Sequence, residues 1–190
     1  MNVILQVLNR PIEAFRAGNK WMAWGIVALT ILIITVFEPL LRFFDGSLQQ
    51  LPQKIDVLHI LTTTGLGVCS YIVICGVFWL VSKCLGSKTR FLTYLKTWGL
   101  TFFPTMLCSL VVAITEVFFY VFWNSILWGM VLSILFGGIL LWKTILYVLY
   151  LREVAKLKRG KLIGAFIIIG IFIILLAMLN GYLGIKTPII

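Results

Sequence analysis

Apolar positions in this chain gather into five long runs, separated by short clusters of charged, Gly and Pro positions. The runs cover about residues 22–43, 57–81, 97–123, 126–150 and 162–183. A helix rises 1.5 Å per residue, so about 20 apolar residues cross the hydrocarbon of a bilayer, and each run is that long. A lone apolar segment in lipid must satisfy its backbone internally, so each run is read as a helix. Residues 2–19 follow another pattern. Asn2, Gln6, Asn9, Glu13 and Arg16 share one helical face, and Ile4, Leu8, Ile12 and Phe15 fall near the opposite one. Pro11 either breaks a helix begun at Val3 or occupies the first turn of a new one. The expected fold is all-α, a polytopic membrane bundle of five transmembrane helices. Residues 1–20 form an amphipathic interfacial segment lying apolar side down, 21–184 a single transmembrane domain, and 185–190 a short tail.

The middle run organises the others. Within Lys96 to Trp123 lie Pro104, a helix perturber, and Glu116, a carboxylate among apolar neighbours. Thr105, Ser109, Val112, Glu116 and Tyr120 share a face expected to point into the bundle. Small residues mark other faces: Thr63, Gly67 and Ser70 in the second span, Gly129, Ser133, Gly137 and Thr144 in the fourth, Gly170, Ala177 and Gly181 in the fifth. Such stripes let membrane helices approach closely, and they permit either internal packing or self-association into a homo-oligomer. Trp21 and Trp24 are expected to anchor the first span at the interface. The connection SKCLGSKTRFLTYLK is expected to lie flat on the membrane through Phe91, Leu92 and Leu95.

Composition agrees with the pattern. The 190 residues are 62% hydrophobic and 12% charged, outside the range of a soluble domain. Sixteen Lys and Arg oppose six Asp and Glu, for a net charge of +10. Twelve basic residues fall in the N-terminal segment and the second and fourth connections, against three on the other side, Arg42, Lys54 and Lys186. By the positive-inside rule the N-terminus is expected to be cytoplasmic and the C-terminus outside or lumenal. The first apolar run begins late and exceeds a signal-peptide core, so it is expected to remain as a span. No long basic region exists outside the spans, and nucleic acid is not an expected partner.

Candidate chemistry is sparse. G-x-x-x-x-G-K-[ST], H-E-x-x-H and G-x-S-x-G are missing, His59 is the single histidine, and no enzyme activity, metal or cofactor is expected. Cys69, Cys75, Cys84 and Cys108 form no C-x-x-C pair and read as buried free thiols. Glu38, His59, Glu116 and Asn180 all fall in the outer third of the bilayer under the assigned topology, which makes them candidates for one intramembrane polar cluster. Lys143 lies too far from Glu116 in depth to pair with it, and is expected to snorkel toward the cytoplasmic headgroups. Lys88, Arg90, Arg152, Lys156, Lys158, Arg159 and Lys161 form a candidate surface for anionic lipid or for a protein partner.

Four stretches resemble the Yip-domain family: NRPIEAF before the first span, TWGLTFFPTML opening the third, the Trp-led WGMVLSILFGGILLWKTILYVLYLREV, and RGKLIGAFIIIGI leading into the last. On that resemblance Pro11, Phe15, Pro104, Trp128 and Lys161 are the matching positions, and the chain looks like a bacterial-type member. The long acidic N-terminal region and the DLYGP-type motif of eukaryotic members are not seen, and Rab-type GTPase binding is not carried over. The resemblance implies a non-enzymatic membrane protein acting as an accessory or scaffold partner of other membrane proteins, in trafficking, export or membrane organisation. The alternative is a small transporter or channel component using the cluster around Glu116.

Overall fold

A computed structural model describes residues 10–37, 40, 57–118 and 126–182, without the side chains at 59, 116–118 and 180–181. Every described element is helical: α1 (Pro11–Ala17), α2 (Lys20–Leu32), α3 (Val57–Cys84), α4 (Phe91–Thr97), α5 (Phe103–Phe118), α6 (Ile126–Glu153) and α7 (Gly160–Tyr182). Five stretches are long and apolar enough to cross a membrane: Lys20–Phe37, Ile60–Cys84, Phe91–Thr115, Ile126–Glu153 and Gly160–Leu179. The all-α, five-span reading therefore holds.

Local chemistry explains the ends. Pro11 takes the first turn of α1, where its missing N–H costs nothing. Gly18 closes that helix in the left-handed region (φ 59°), donating its N–H to the Ala14 carbonyl. Asn19 then caps α2, its Oδ1 accepting from the Met22 N–H at 3.3 Å. After Leu32 the first span widens into a π-helical turn, Ile33–Phe37. At the end of α3, Gly86 (φ 96°) makes a Schellman closure, with the Ser87 N–H donating to the Ser82 carbonyl at 2.9 Å.

The third span departs from the pattern read in the sequence. Its helix starts at Phe91 instead of 97, because Tyr94 and Thr97 turn into the core. Between α4 and α5 the backbone tightens to a 3₁₀ segment, Trp98–Phe102, and Pro104 falls in the first turn of α5. Residues 97–104 are buried without interruption, so this segment is enclosed on every side. It crosses α2 so closely that a Cβ at Gly99 would overlap the Ala23 carbonyl oxygen and come within 2.8 Å of its carbonyl carbon.

Around this segment sits the core. Trp98 is fully buried, with Phe102 at 4.8 Å between ring centroids, Phe78 at 5.3 Å, Tyr71 at 5.5 Å, and Tyr147 stacked at 6.2 Å. Tyr150 meets Phe15 edge-on at 5.5 Å and Tyr94 at 5.9 Å. In lipid, apolar surface alone gives helices little reason to associate, so such interlocking shapes carry the packing. These aromatics all lie toward the end of the bundle where Lys20, Cys84, Phe91, Glu153 and Gly160 fall, called here the basic end.

Gly129, Gly137 and Gly170 have no described neighbour within 4 Å of a Cβ, so of the two uses open to these faces the described bundle does not show internal packing at these glycines. Large aromatics hold α6 instead. Of the four free cysteines only Cys75 is buried; Cys69 and Cys84 are exposed and Cys108 is intermediate.

Candidate interaction surface at the basic end

The functional candidates divide between the two ends. At the basic end, α1 folds against the last turns of α6. Phe15 and Ala14 are buried there, and Arg16 reaches Glu153 with its Nη2 2.9 Å and its Nε 3.0 Å from Oε2. The other carboxylate oxygen of Glu153 accepts from Arg152 Nε at 3.0 Å. Arg152 is therefore committed to a pair within the fold. Arg10 and Glu13 form a more exposed pair at 3.3 Å.

The two basic connections, 85–90 and 154–159, are fastened to each other. The Thr89 hydroxyl donates to the Val154 carbonyl at 2.9 Å. The Lys161 ammonium stands 3.3 Å from where a Cβ on Gly86 would be. The turn after α6 closes with the Leu157 N–H on the Leu151 carbonyl at 3.1 Å, and Leu157 is buried between exposed Lys156 and Lys158. Lys156 (φ 56°) and Arg159 (φ 50°) both hold left-handed backbone, which costs a residue with a Cβ roughly 1–2 kcal/mol. Lys88, Arg90, Lys156, Lys158, Arg159 and Lys161 are all exposed, and among the described residues none is paired with a carboxylate. The structure thus places five of the seven predicted surface residues on two joined loops and Lys161 beside them in the first turn of α7, while the seventh, Arg152, pairs with Glu153. Thr89 and Gly86, which join the loops, carry no sequence signal; a short Ser-Lys-Thr connection reads as a plain linker.

At the level of the membrane, Trp79 pairs with Phe91 (5.8 Å) and lies under the Lys83 ammonium (4.7 Å). Trp21 is 80% exposed with Lys20 at 5.7 Å from its ring, an interfacial arrangement. Trp24 instead turns toward Tyr71, at 5.2 Å.

Lys143 is placed by its neighbours. Its ammonium lies 5.9 Å from the centre of the Phe102 ring and 5.8 Å from that of Tyr147. The side chain runs between spans, against aromatic faces. Phe103 faces Trp142 at 5.8 Å, which sets the register of α5 against α6. Position 116 is then about 20 Å further along from that level, at 1.5 Å per residue. Of the proposed outer cluster, Glu38 and the side chains of His59, Glu116 and Asn180 lie outside the described residues. No group of three or more His, Cys, Asp or Glu suited to a metal occurs among the described residues.

These features define a helical multi-pass membrane protein with an aromatic core at its basic end. The chain belongs to the Yip1 domain family, whose family model matches residues 5–179. Neither the curated proteins nor the solved structures give a match to it.

Proposed function

We propose that this protein is a non-enzymatic accessory or scaffold for other integral membrane proteins, holding them in place in a membrane with its basic end toward the cytoplasm. The observation that carries this reading is the unequal packing of α6 and α7. Both are locked into the aromatic core at one end. Their other halves leave wide apolar flanks outside the described packing, as at Ile134 and Met178. On α6 those flanks include Gly129, Ser133 and Gly137, where a neighbouring helix can approach to backbone contact. Membership in the Yip1 domain family supports a membrane role, and the twelve-to-three charge asymmetry supports the orientation.

The test is purification in mild detergent with mass spectrometry of whatever copurifies in fixed ratio. A stoichiometric membrane protein is expected, and Gly129→Leu with Gly137→Leu should release it without altering the monomer. A partner-free protein in which both substitutions are silent would sink the reading.

A further inference from the structure

We infer that the two joined basic loops form a binding surface for the phosphate headgroups of anionic phospholipid in the leaflet at the basic end. This goes beyond the accessory role and does not depend on it.

Four observations support it. The cations are concentrated and uncompensated: residues 83–90 and 154–161 contain seven Lys or Arg and no Asp or Glu. The nearest acid, Glu153, is already held by Arg16 and Arg152. The loops are also preorganised. The Thr89–Val154 hydrogen bond, the buried Leu157 and the Gly86 closure hold both at fixed spacing, so little loop freedom is lost when an anion binds.

The third observation is backbone conformation. Lys156 and Arg159 occupy left-handed positions that glycine would fill without strain, and the chain places long cationic side chains there. Strain retained at such positions points to a use for the side chains.

The fourth is level. The loops are six residues each, 85–90 and 154–159, and are tied to the ends of four membrane-crossing stretches. The Trp79–Phe91 pair lies just beneath them. Their ammonium and guanidinium groups therefore sit at headgroup depth, within a Debye length of about 10 Å from the lipid phosphates. An acidic protein would have to reach the same plane through those headgroups, which makes lipid the favoured occupant.

The experiment uses the full chain, purified without partners and titrated with phosphatidylglycerol or with phosphatidylcholine of the same acyl chains, bound lipid being read by native mass spectrometry. The expected result is a preference of about tenfold for phosphatidylglycerol at low salt, shrinking as ionic strength rises. Replacing Lys156, Lys158, Arg159 and Lys161 together by Gln should remove the preference. The charge-preserving exchange K156R/K158R/R159K/K161R should keep it. Because four Gln substitutions risk disturbing insertion, Lys156→Gly with Arg159→Gly provides the second arm. That pair relieves backbone strain while deleting two charges, so it should lower the preference with thermal stability unchanged or raised. No preference in the wild type, or a preference unaffected by both the Gln and the Gly variants, would overturn the inference. So would a Gln variant that binds phosphatidylglycerol normally but loses a copurifying protein, which would assign the surface to that protein instead. Partner loss and lipid preference are read in separate preparations, so the failure of one reading does not obscure the other.

Discussion

The two ends of this bundle use the same kinds of residue in opposite ways. At the basic end, hydroxyls join one span to another. Tyr71 Oη donates to the Leu95 carbonyl at 2.8 Å. Thr97 gives its own hydrogen to the Thr93 carbonyl at 2.7 Å, which leaves its oxygen to accept from Tyr150 Oη at 3.1 Å. Further along, Ser109, Thr115, Ser133 and Thr144 turn back to carbonyls four residues earlier in their own helices, at 2.7–2.9 Å. A hydroxyl satisfied within its own helix asks nothing of a neighbour. A hydroxyl bonded across spans fixes their relative position. Aromatic residues show the same division, interlocking at the basic end while apolar side chains such as Ile134 and Ile174 stand clear at the other. One end carries the cross-span contacts of the described bundle, and the other leaves apolar side chains outside them.

The sharpest way to break this contrast is at the glycines. Gly99→Leu would drive a side chain into the Ala23 backbone, which cannot yield as a flexible side chain would. We expect no monodisperse monomer by size exclusion, whereas Gly137→Leu, with open space around it, should give one indistinguishable from wild type. Next is Trp98→Ala, which empties the centre of the core. A loss of about 3–5 kcal/mol is expected, read as thermal unfolding in detergent by circular dichroism. Removal of a large apolar side chain from the far half, as in Ile134→Ala, should change stability by less than about 0.5 kcal/mol. The smallest effect expected is that of Tyr150→Phe, about 1 kcal/mol for the lost bond to Thr97, against no measurable change for Thr144→Val. Equal losses for the two members of any pair would abolish the distinction between the ends.

The number of spans was legible from hydropathy, because crossing lipid is a demand on each segment alone. The packing was not, because in a bilayer apolar residues face both protein and lipid, and periodicity loses its meaning. The small-residue stripe at Gly129, Ser133 and Gly137 permitted internal packing or self-association, and its glycines have no described neighbour, while Gly99, one glycine in WGLTF, is the tightest contact of the described glycines. The 3₁₀ segment behind it carries no marker beyond Pro104, whose effect reads equally well as a kink. The clustering of charge in the two basic connections was visible along the chain, but their joining through Thr89 and Gly86 belongs to tertiary structure. So does the pairing of Arg152 with a Glu153 that also holds Arg16, from a helix 137 positions away.

The order in which the core residues occur along the chain has a consequence for biosynthesis. Phe15, Tyr71 and Trp98 emerge from the ribosome well before Tyr147 and Tyr150, so the first three spans, although Trp98 already has Tyr71, Phe78 and Phe102 beside it, enter the membrane with the ring faces that meet α6 uncovered. Only when α6 arrives does that surface close, and α7 then docks its Ala165 and Ile169 on a finished wall. A chain halted just after Glu153 already contains the aromatic side chains that surround Trp98.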